Sequence, residues 1–298
     1  MKILVAVSGA KTFCNQAVNA AARGEVIGTC DVEAAGCDES ILTESDKVVP
    51  ANIQPLPTDC KILSGGCLFS KPTPCLPVIT KDWNITADGV GDTDEPVLTE
   101  RSYIMCDVGG KIEIKNPNQD EISVGFGTFD LEDKLKILQT LSEDEVLTAL
   151  SSLSEADLID VLDGVLGLIN EDGGTVNCGN IIDGVVAFMR GEGIDKVTTA
   201  RDGSWAEINE RLGTNIDHST STTFEDIFDD LDSRGHGSMT LISSGSGGHV
   251  TVAVNVNGSV GIMEGQDWGT DNPSGFITNP EDAEDRYGET GVTSSPIP

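Results

Sequence analysis

The stretch Gly248-His249-Val250-Thr251-Val252-Ala253-Val254-Asn255-Val256-Asn257-Gly258-Ser259-Val260-Gly261-Ile262-Met263-Glu264 decides the character of the C-terminal half. Two runs rich in β-branched residues flank Asn257-Gly258, the dipeptide that best supplies the two positive-φ residues of a tight hairpin. The pattern predicts strands over 249–254 and 259–263, with a further strand over 239–242. Upstream, the run from Asn177 to Arg190 reads as a helix with Cys178 in its first turn, and 224–231 reads as a second helix capped by Thr223. Residues 173–298 are therefore expected to form an α+β unit. The tail from Asn272 is rich in Pro, Gly, Ser and acids and is expected to be partly irregular.

Working toward the N-terminus, Ser142-Glu143-Asp144-Glu145 and Ser154-Glu155-Ala156-Asp157 each precede an apolar run, the pattern of a helix start. Leu131, Leu135 and Leu138 stand at helical spacing before them. Residues 121–172 thus read as an acidic helical linker whose apolar stripe packs on a neighbour or docks a partner or chaperone. Residues 1–120 show short strand-like runs at 48–49, 77–80 and 111–115 between Pro, Gly, Asn and Asp turns. That is the pattern of a small all-β unit with few aromatic residues, which a bound metal would help to hold together.

The 298 residues carry 18 Lys and Arg against 50 Asp and Glu, a net charge of −32. Such a field repels nucleic acid and anionic membrane surfaces, so neither is an expected partner. No apolar run approaches the roughly 20 residues of a membrane span. The apolar stretch within residues 1–9 is too short for an export signal, so the protein is expected to be made in the cytoplasm without a signal peptide. Cys14, Cys30, Cys37, Cys60, Cys67, Cys75 and Cys106 cluster in the N-terminal half, with Cys178 alone beyond them. A cluster of this kind points first to metal or redox chemistry, then to a disulfide framework; the bland alternative is a set of buried reduced thiols.

The run from Pro96 to Ile114, with Ser102, Cys106 and Gly109-Gly110 in order, resembles the closing motif of PAAR-like spike-tip proteins, followed by Gln119. Ser8-Gly9-Ala10 with Cys14, Asn52-Ile53 with Cys60, and Pro74-Cys75-Leu76-Pro77 with Trp83 fall in the same order as in that family. The resemblance covers residues 1–120. It implies an all-β cone seated on the trimeric spike protein of a type VI secretion system or related phage-tail-like machine. It also implies a structural zinc held by Cys14, Cys60, Cys75 and Cys106; four thiolates form a closed site for that ion. Cys30, Cys37 and Cys67 are extra to the pattern, and the first two are near enough in sequence to pair.

In the C-terminal unit a helix-borne Cys178 precedes a strand-borne His249, and Glu264, then Gln266 and Asp267, follow on the next strand. A thiol at a helix start is biased toward thiolate. The order Cys, His, acid is that of papain-like enzymes. Asn177-Cys178, Gly248-His249-Val250, Asn257-Gly258 and Glu264-Gly265-Gln266 resemble the papain-fold toxin family associated with glutamine deamidation. That resemblance implies Cys178 as nucleophile and His249 as base. It implies Glu264 as the acid where the family usually carries Asp, with Asp267 as the alternative. Gln266 and Asn177 are expected at the substrate and oxyanion side. His218 and His236 read as solvent-facing loop residues, and Trp205 and Trp268 as packing residues, with Trp268 placed to wall a pocket. The glycines of 245–248 lack the lysine of a phosphate loop.

Together these readings describe a multidomain spike-tip effector. Its C-terminal hydrolase would modify a target-cell protein after delivery, as a glutamine deamidase or, alternatively, a protease. A non-catalytic cargo adaptor is the structural alternative. A toxic enzyme of this kind implies a cognate immunity protein.

Overall fold

A computed structural model describes residues 1–28, 39–64, 72–88, 90, 93–200, 203–245, 248–270, 272–288 and 291–298. Cys30, Cys37 and Cys67, and any pairing between the first two, lie outside them. The protein is β-rich, with seven α-helices and three antiparallel sheets among the described residues. It divides into two compact units, Met1–Ile137 and Leu138–Pro298.

In the first unit, β1 (Lys2–Leu4) pairs with β7 (Ser123–Gly125). A second sheet orders β3 (Gly24–Val26), β2 (Ala10–Cys14), β6 (Lys111–Asn116), β5 (Val97–Met105) and β4 (Asn84–Ala87). The alternation in β6 explains its placement. Ile112 and Ile114 enter a core with Val26, Leu42, Ile53, Leu98 and Ile104, while Lys111 and Lys115 flank Glu113 at 3.0 and 3.1 Å on the outer face. Gln119 fastens the smaller sheet. Its amide N–H groups reach the carbonyls of Val5 and Ile122, and its Oε1 accepts the N–H groups of Glu121 and Ile122.

Two expected strands are absent. Val48 enters a turn instead, donating its N–H to Asn52 Oδ1 at 3.1 Å and accepting the N–H groups of Asn52 and Ile53. In 77–80, Pro77 has no N–H to give, and Val78 turns its own toward Cys106 Sγ at 3.5 Å.

The expected linker, 121–172, does not stay apart as one. The division falls in the last turn of α1 (Leu131–Leu138), and α2 (Glu143–Ser151) and α3 (Glu155–Ile169) belong to the second unit. The apolar stripe of α3, Leu158, Val161, Leu162, Val165, Leu166 and Ile169, is too wide to be left wet and is buried throughout.

The second unit continues with α4 (Cys178–Met189), α5 (Trp205–Leu212) and α6 (Phe224–Arg234). Its sheet orders β11 (Gly275–Ile277), β10 (Ser259–Glu264), β9 (His249–Val256), β8 (Met239–Ser244) and β12 (Thr293–Ile297). Between β11 and β12 lies α7 (Pro280–Tyr287). All eight residues of β9 are buried, so both faces of the sheet are covered there. The apolar side of α6 (Phe224, Ile227, Leu231) meets Ile242, Ala253 and Ile262, and α3 and α4 also pack against this sheet.

The hairpin forms as expected: Asn257 and Gly258 both take positive φ, 53° and 90°. His236 is exposed but pins that turn. Its Nδ1 accepts the Asn257 N–H at 3.0 Å and its Nε2 faces Ser151 Oγ at 3.1 Å. The tail is more ordered than its composition predicts, because α7, β11 and β12 all derive from it. Phe276, Ala283, Val292 and Ile297 are buried apolar residues that it contributes.

Candidate active site

The site begins where α3 ends. Asn170, the residue after α3, spans the turn to α4 with both faces of its amide. Its Nδ2 donates to the carbonyls of Gly174 and Gly265 at 2.9 and 2.8 Å, and its Oδ1 accepts the Gly174 N–H at 2.9 Å and Asn177 Nδ2 at 3.0 Å. Asn177 Nδ2 also reaches the Thr198 carbonyl at 3.0 Å. This buried network fixes the first turn of α4, on which Cys178 stands, to the segment that carries the acid.

His249 opens β9 and Glu264 closes β10, on adjacent antiparallel strands. The register Met263↔Val252 places Glu264 diagonally across from His249. His249 Nε2 lies 2.7 Å from Glu264 Oε2, which leaves Nδ1 for the hydrogen bond with Cys178. Glu264 is only 1% exposed and accepts three further contacts. The Gln266 N–H donates to Oε1 at 2.7 Å, the Tyr287 hydroxyl donates to Oε2 at 2.7 Å, and Arg286 Nε lies 3.9 Å from Oε2. Burial costs a carboxylate dearly unless it is partnered in this way.

The electrostatics follow from that packing. Burial is the largest influence on His249 and pulls it down. The hydrogen bonds to Cys178 and Glu264 and the charges of both groups outweigh it, raising the imidazole from 6.5 to about 9. For Cys178, burial pushes the thiol up, but His249 and the backbone N–H groups of Val250 and Gly179 overcome this and bring it below 9.0. Both shifts favour a thiolate beside an imidazolium over the neutral pair.

Both groups open on a cleft of about 730 Å³ whose walls include Trp205, Ile208, Gln266 and Trp268. Trp268 is 40% exposed and meets His249 edge-on, with ring centroids 4.7 Å apart. Trp205 is likewise a cleft residue as well as a packing one, and the exposed His218 rests against it at 5.0 Å.

The other expected site residues take different places. Gln266 is on the cleft wall. Its Nε2 donates to Asn177 Oδ1 and its Oε1 accepts from Trp268 Nε1, each at 3.3 Å, so its orientation is set. Asn177 is 0% exposed and its amide is spent on Asn170, Thr198 and Gln266. It positions the turn and cannot touch a substrate. Asp267, the alternative acid, is exposed and accepts the Gly269 N–H at 2.8 Å instead of facing His249. Tyr287, Arg286 and Asn170 were not among the expected residues. No local motif marks them, since they reach the site only through folding.

In the first unit, Cys14, Cys60, Cys75 and Cys106 line one small cavity, all buried. A Cβ at Gly110 would stand 2.8 Å from Cys14 Sγ, so the Gly109-Gly110 turn keeps that cavity open. Burial, then the neighbouring thiols, pushes Cys75 up to about 11 and Cys14 also upward. Four soft donors around one space fit zinc by chemistry. The thiols are not drawn together to ligand geometry, however: among the described residues no group of three or more His, Cys, Asp or Glu is placed to hold a metal ion.

Among the described residues no helix is long and apolar enough to cross a membrane. No curated protein and no solved structure matches the chain. Residues 6–119 match the model of a family described as a domain of unknown function, DUF4280, a PAAR-like family associated with type VI secretion.

Proposed function

We propose that the second unit is a cysteine hydrolase that breaks carboxamide C–N bonds, with glutamine side chains of a target protein as its substrate. The observation that carries this reading is the single array Cys178–His249–Glu264, with its acid buried and its thiol opening on the cleft. In the first step His249 holds the proton of Cys178 and the thiolate attacks the amide carbon. The second N–H of the Gln266 amide and the backbone N–H groups at the start of α4 stabilise the oxyanion. The C–N bond breaks, His249 gives its proton to the departing ammonia, and a thioester remains. Water, deprotonated by His249, cleaves the thioester, leaving a carboxylate and restoring the thiol.

The resemblance of 175–270 to glutamine-deamidating toxins favours deamidation over peptide cleavage. The same array would also serve a protease. The first unit, by its PAAR-like match, is read as the tip that a trimeric spike protein carries. Its four thiolates would hold zinc, and that ion would cross-link the segments that bring the cysteines into the core. Delivery by a contractile machine and a cognate immunity protein complete the reading.

The test is incubation of the full chain with glutamine-rich proteins, followed by ammonia release and intact mass. A gain of about one dalton per modified site, lost in Cys178→Ala, is expected. Fragments would make the enzyme a protease. Neither product, from protein whose Cys178 is also no faster to alkylate than a free thiol, would leave the cargo-adaptor reading.

A further inference from the structure

The acid of the array is shared. Glu264 Oε2 takes the His249 Nε2 contact and the Tyr287 hydroxyl, both at 2.7 Å. Tyr287 also lies nearly parallel to the imidazole, with centroids 5.6 Å apart and 21° between planes. It comes from the last turn of α7, whose Arg286 guanidinium donates to the Gln266 carbonyl at 2.8 Å and sits over the Trp268 ring at 4.7 Å. The groups facing His249 are therefore Cys178 from α4, Glu264 from β10, and Tyr287 from α7; Arg286 approaches Glu264 at 3.9 Å, and Asp267 is turned away.

We infer that Tyr287 is a positioning residue that acts through Glu264. By donating to Oε2, the same oxygen that meets the imidazole, it takes a share of the carboxylate charge on which the imidazolium draws, and so it helps to set the pH at which His249 releases its proton. This rests on the hydrolase reading above, since it assigns Tyr287 a part in that array. Burial, with the charge and hydrogen bond of Glu264, holds the phenol well above 10, so it remains a donor throughout the working range. No covalent step is added. The hydroxyl keeps its proton in every state of the array.

The test uses the full chain. Alkylation of Cys178 by iodoacetamide is followed across pH 5–11 and read on the Cys178 peptide by mass spectrometry. A thiolate–imidazolium pair gives two steps, a lower one for the thiol and an upper one for the imidazolium. Tyr287→Phe keeps the ring and removes the donor. The upper step is expected to move up by about one pH unit, with the lower step in place. In a Glu264→Gln background the same substitution is expected to shift nothing.

An unmoved or lowered upper step in Tyr287→Phe, or an equal shift with Glu264→Gln, overturns the inference while leaving the hydrolase reading intact. Loss of both steps in the unaltered protein, with a rate matched by His249→Ala, overturns the hydrolase reading itself. Should Tyr287→Phe fail to fold, replacing Tyr287 by 3-fluorotyrosine, a stronger donor of nearly the same shape, is expected to move the upper step down. No shift there refutes the assignment equally.

Discussion

Glu264→Gln isolates the electrostatic core of the site, because it removes one charge and almost no volume. His249 is raised from 6.5 to about 9, a difference worth about 3 kcal/mol in favour of the imidazolium. That excess survives a burial penalty acting the other way, so the two partners together supply more than the net figure. Removing the carboxylate leaves the imidazolium supported by Cys178 alone, in a buried place. We expect its value to fall by about 1–2 units, and the upper step in the pH profile of Cys178 alkylation to fall with it. The assay is the alkylation rate of Cys178 followed across pH 5–11, in the full chain, with thermal unfolding as a check that the sheet is intact. An upper step in Glu264→Gln that coincides with the parent's, in a folded protein, would refute the reasoning: the imidazolium would then owe its stability to Cys178 and not to the carboxylate.

Three further outcomes are expected. A group held above its unfolded value stabilises the fold most when it is protonated, so the advantage of the parent over His249→Gln in unfolding free energy should be full below pH 6.5 and fade as the pH rises through about 9; denaturant titrations at pH 6 and 9.5 check the sign. Asn170→Ala removes the hydrogen bonds to Gly174, Gly265 and Asn177 and leaves buried partners unmatched, which should cost about 3 kcal/mol and lower Tm by roughly 6–12 °C in calorimetry. Purified protein is expected to hold about one zinc per chain, lost in Cys60→Ser and Cys75→Ser, with a chelator lowering the melting of the first unit; metal-free protein that melts identically with and without chelator would remove zinc from the account.

Much of this was legible in the sequence where the signal is local. Asn257-Gly258 gave the hairpin because only a few residue types tolerate its backbone, and the hairpin in turn placed Glu264 beside His249. The caps at Thr223 and Ser154 and the box at Ser142 marked their helices because a short side-chain oxygen there meets an N–H the helix leaves unpaired. Two local signals were present and overlooked: Ser204 with Glu207 forms a capping box for α5, and Asn279-Pro280 opens α7 with a cap and a proline at its first position. In α7 the acidic residues mask the pattern, since Ala283 is its one fully buried position. In 121–172 the periodicity gives α3 an apolar face that needs covering but does not say which partner covers it. Tyr287 and Arg286 were invisible for a stronger reason. Twenty-three residues separate Tyr287 from Glu264, and only the packing of α7 closes that distance.

The order of the pieces along the chain has a consequence for biosynthesis. Synthesis proceeds from the N-terminus at about 5–20 residues per second. A nascent chain that has emerged through Glu264 already contains nucleophile, base and acid, but it lacks α7 and leaves β8 without its β12 neighbour. An uncovered β8 is an open edge of hydrogen-bonding groups, and Glu264 at that stage has no phenol or guanidinium beside it. Pro296 in β12 suits a strand that finishes the sheet, because it offers no N–H for another strand to extend. The site is thus completed by the same late segment that seals the sheet, which ties a settled charge balance at Glu264 to a finished fold.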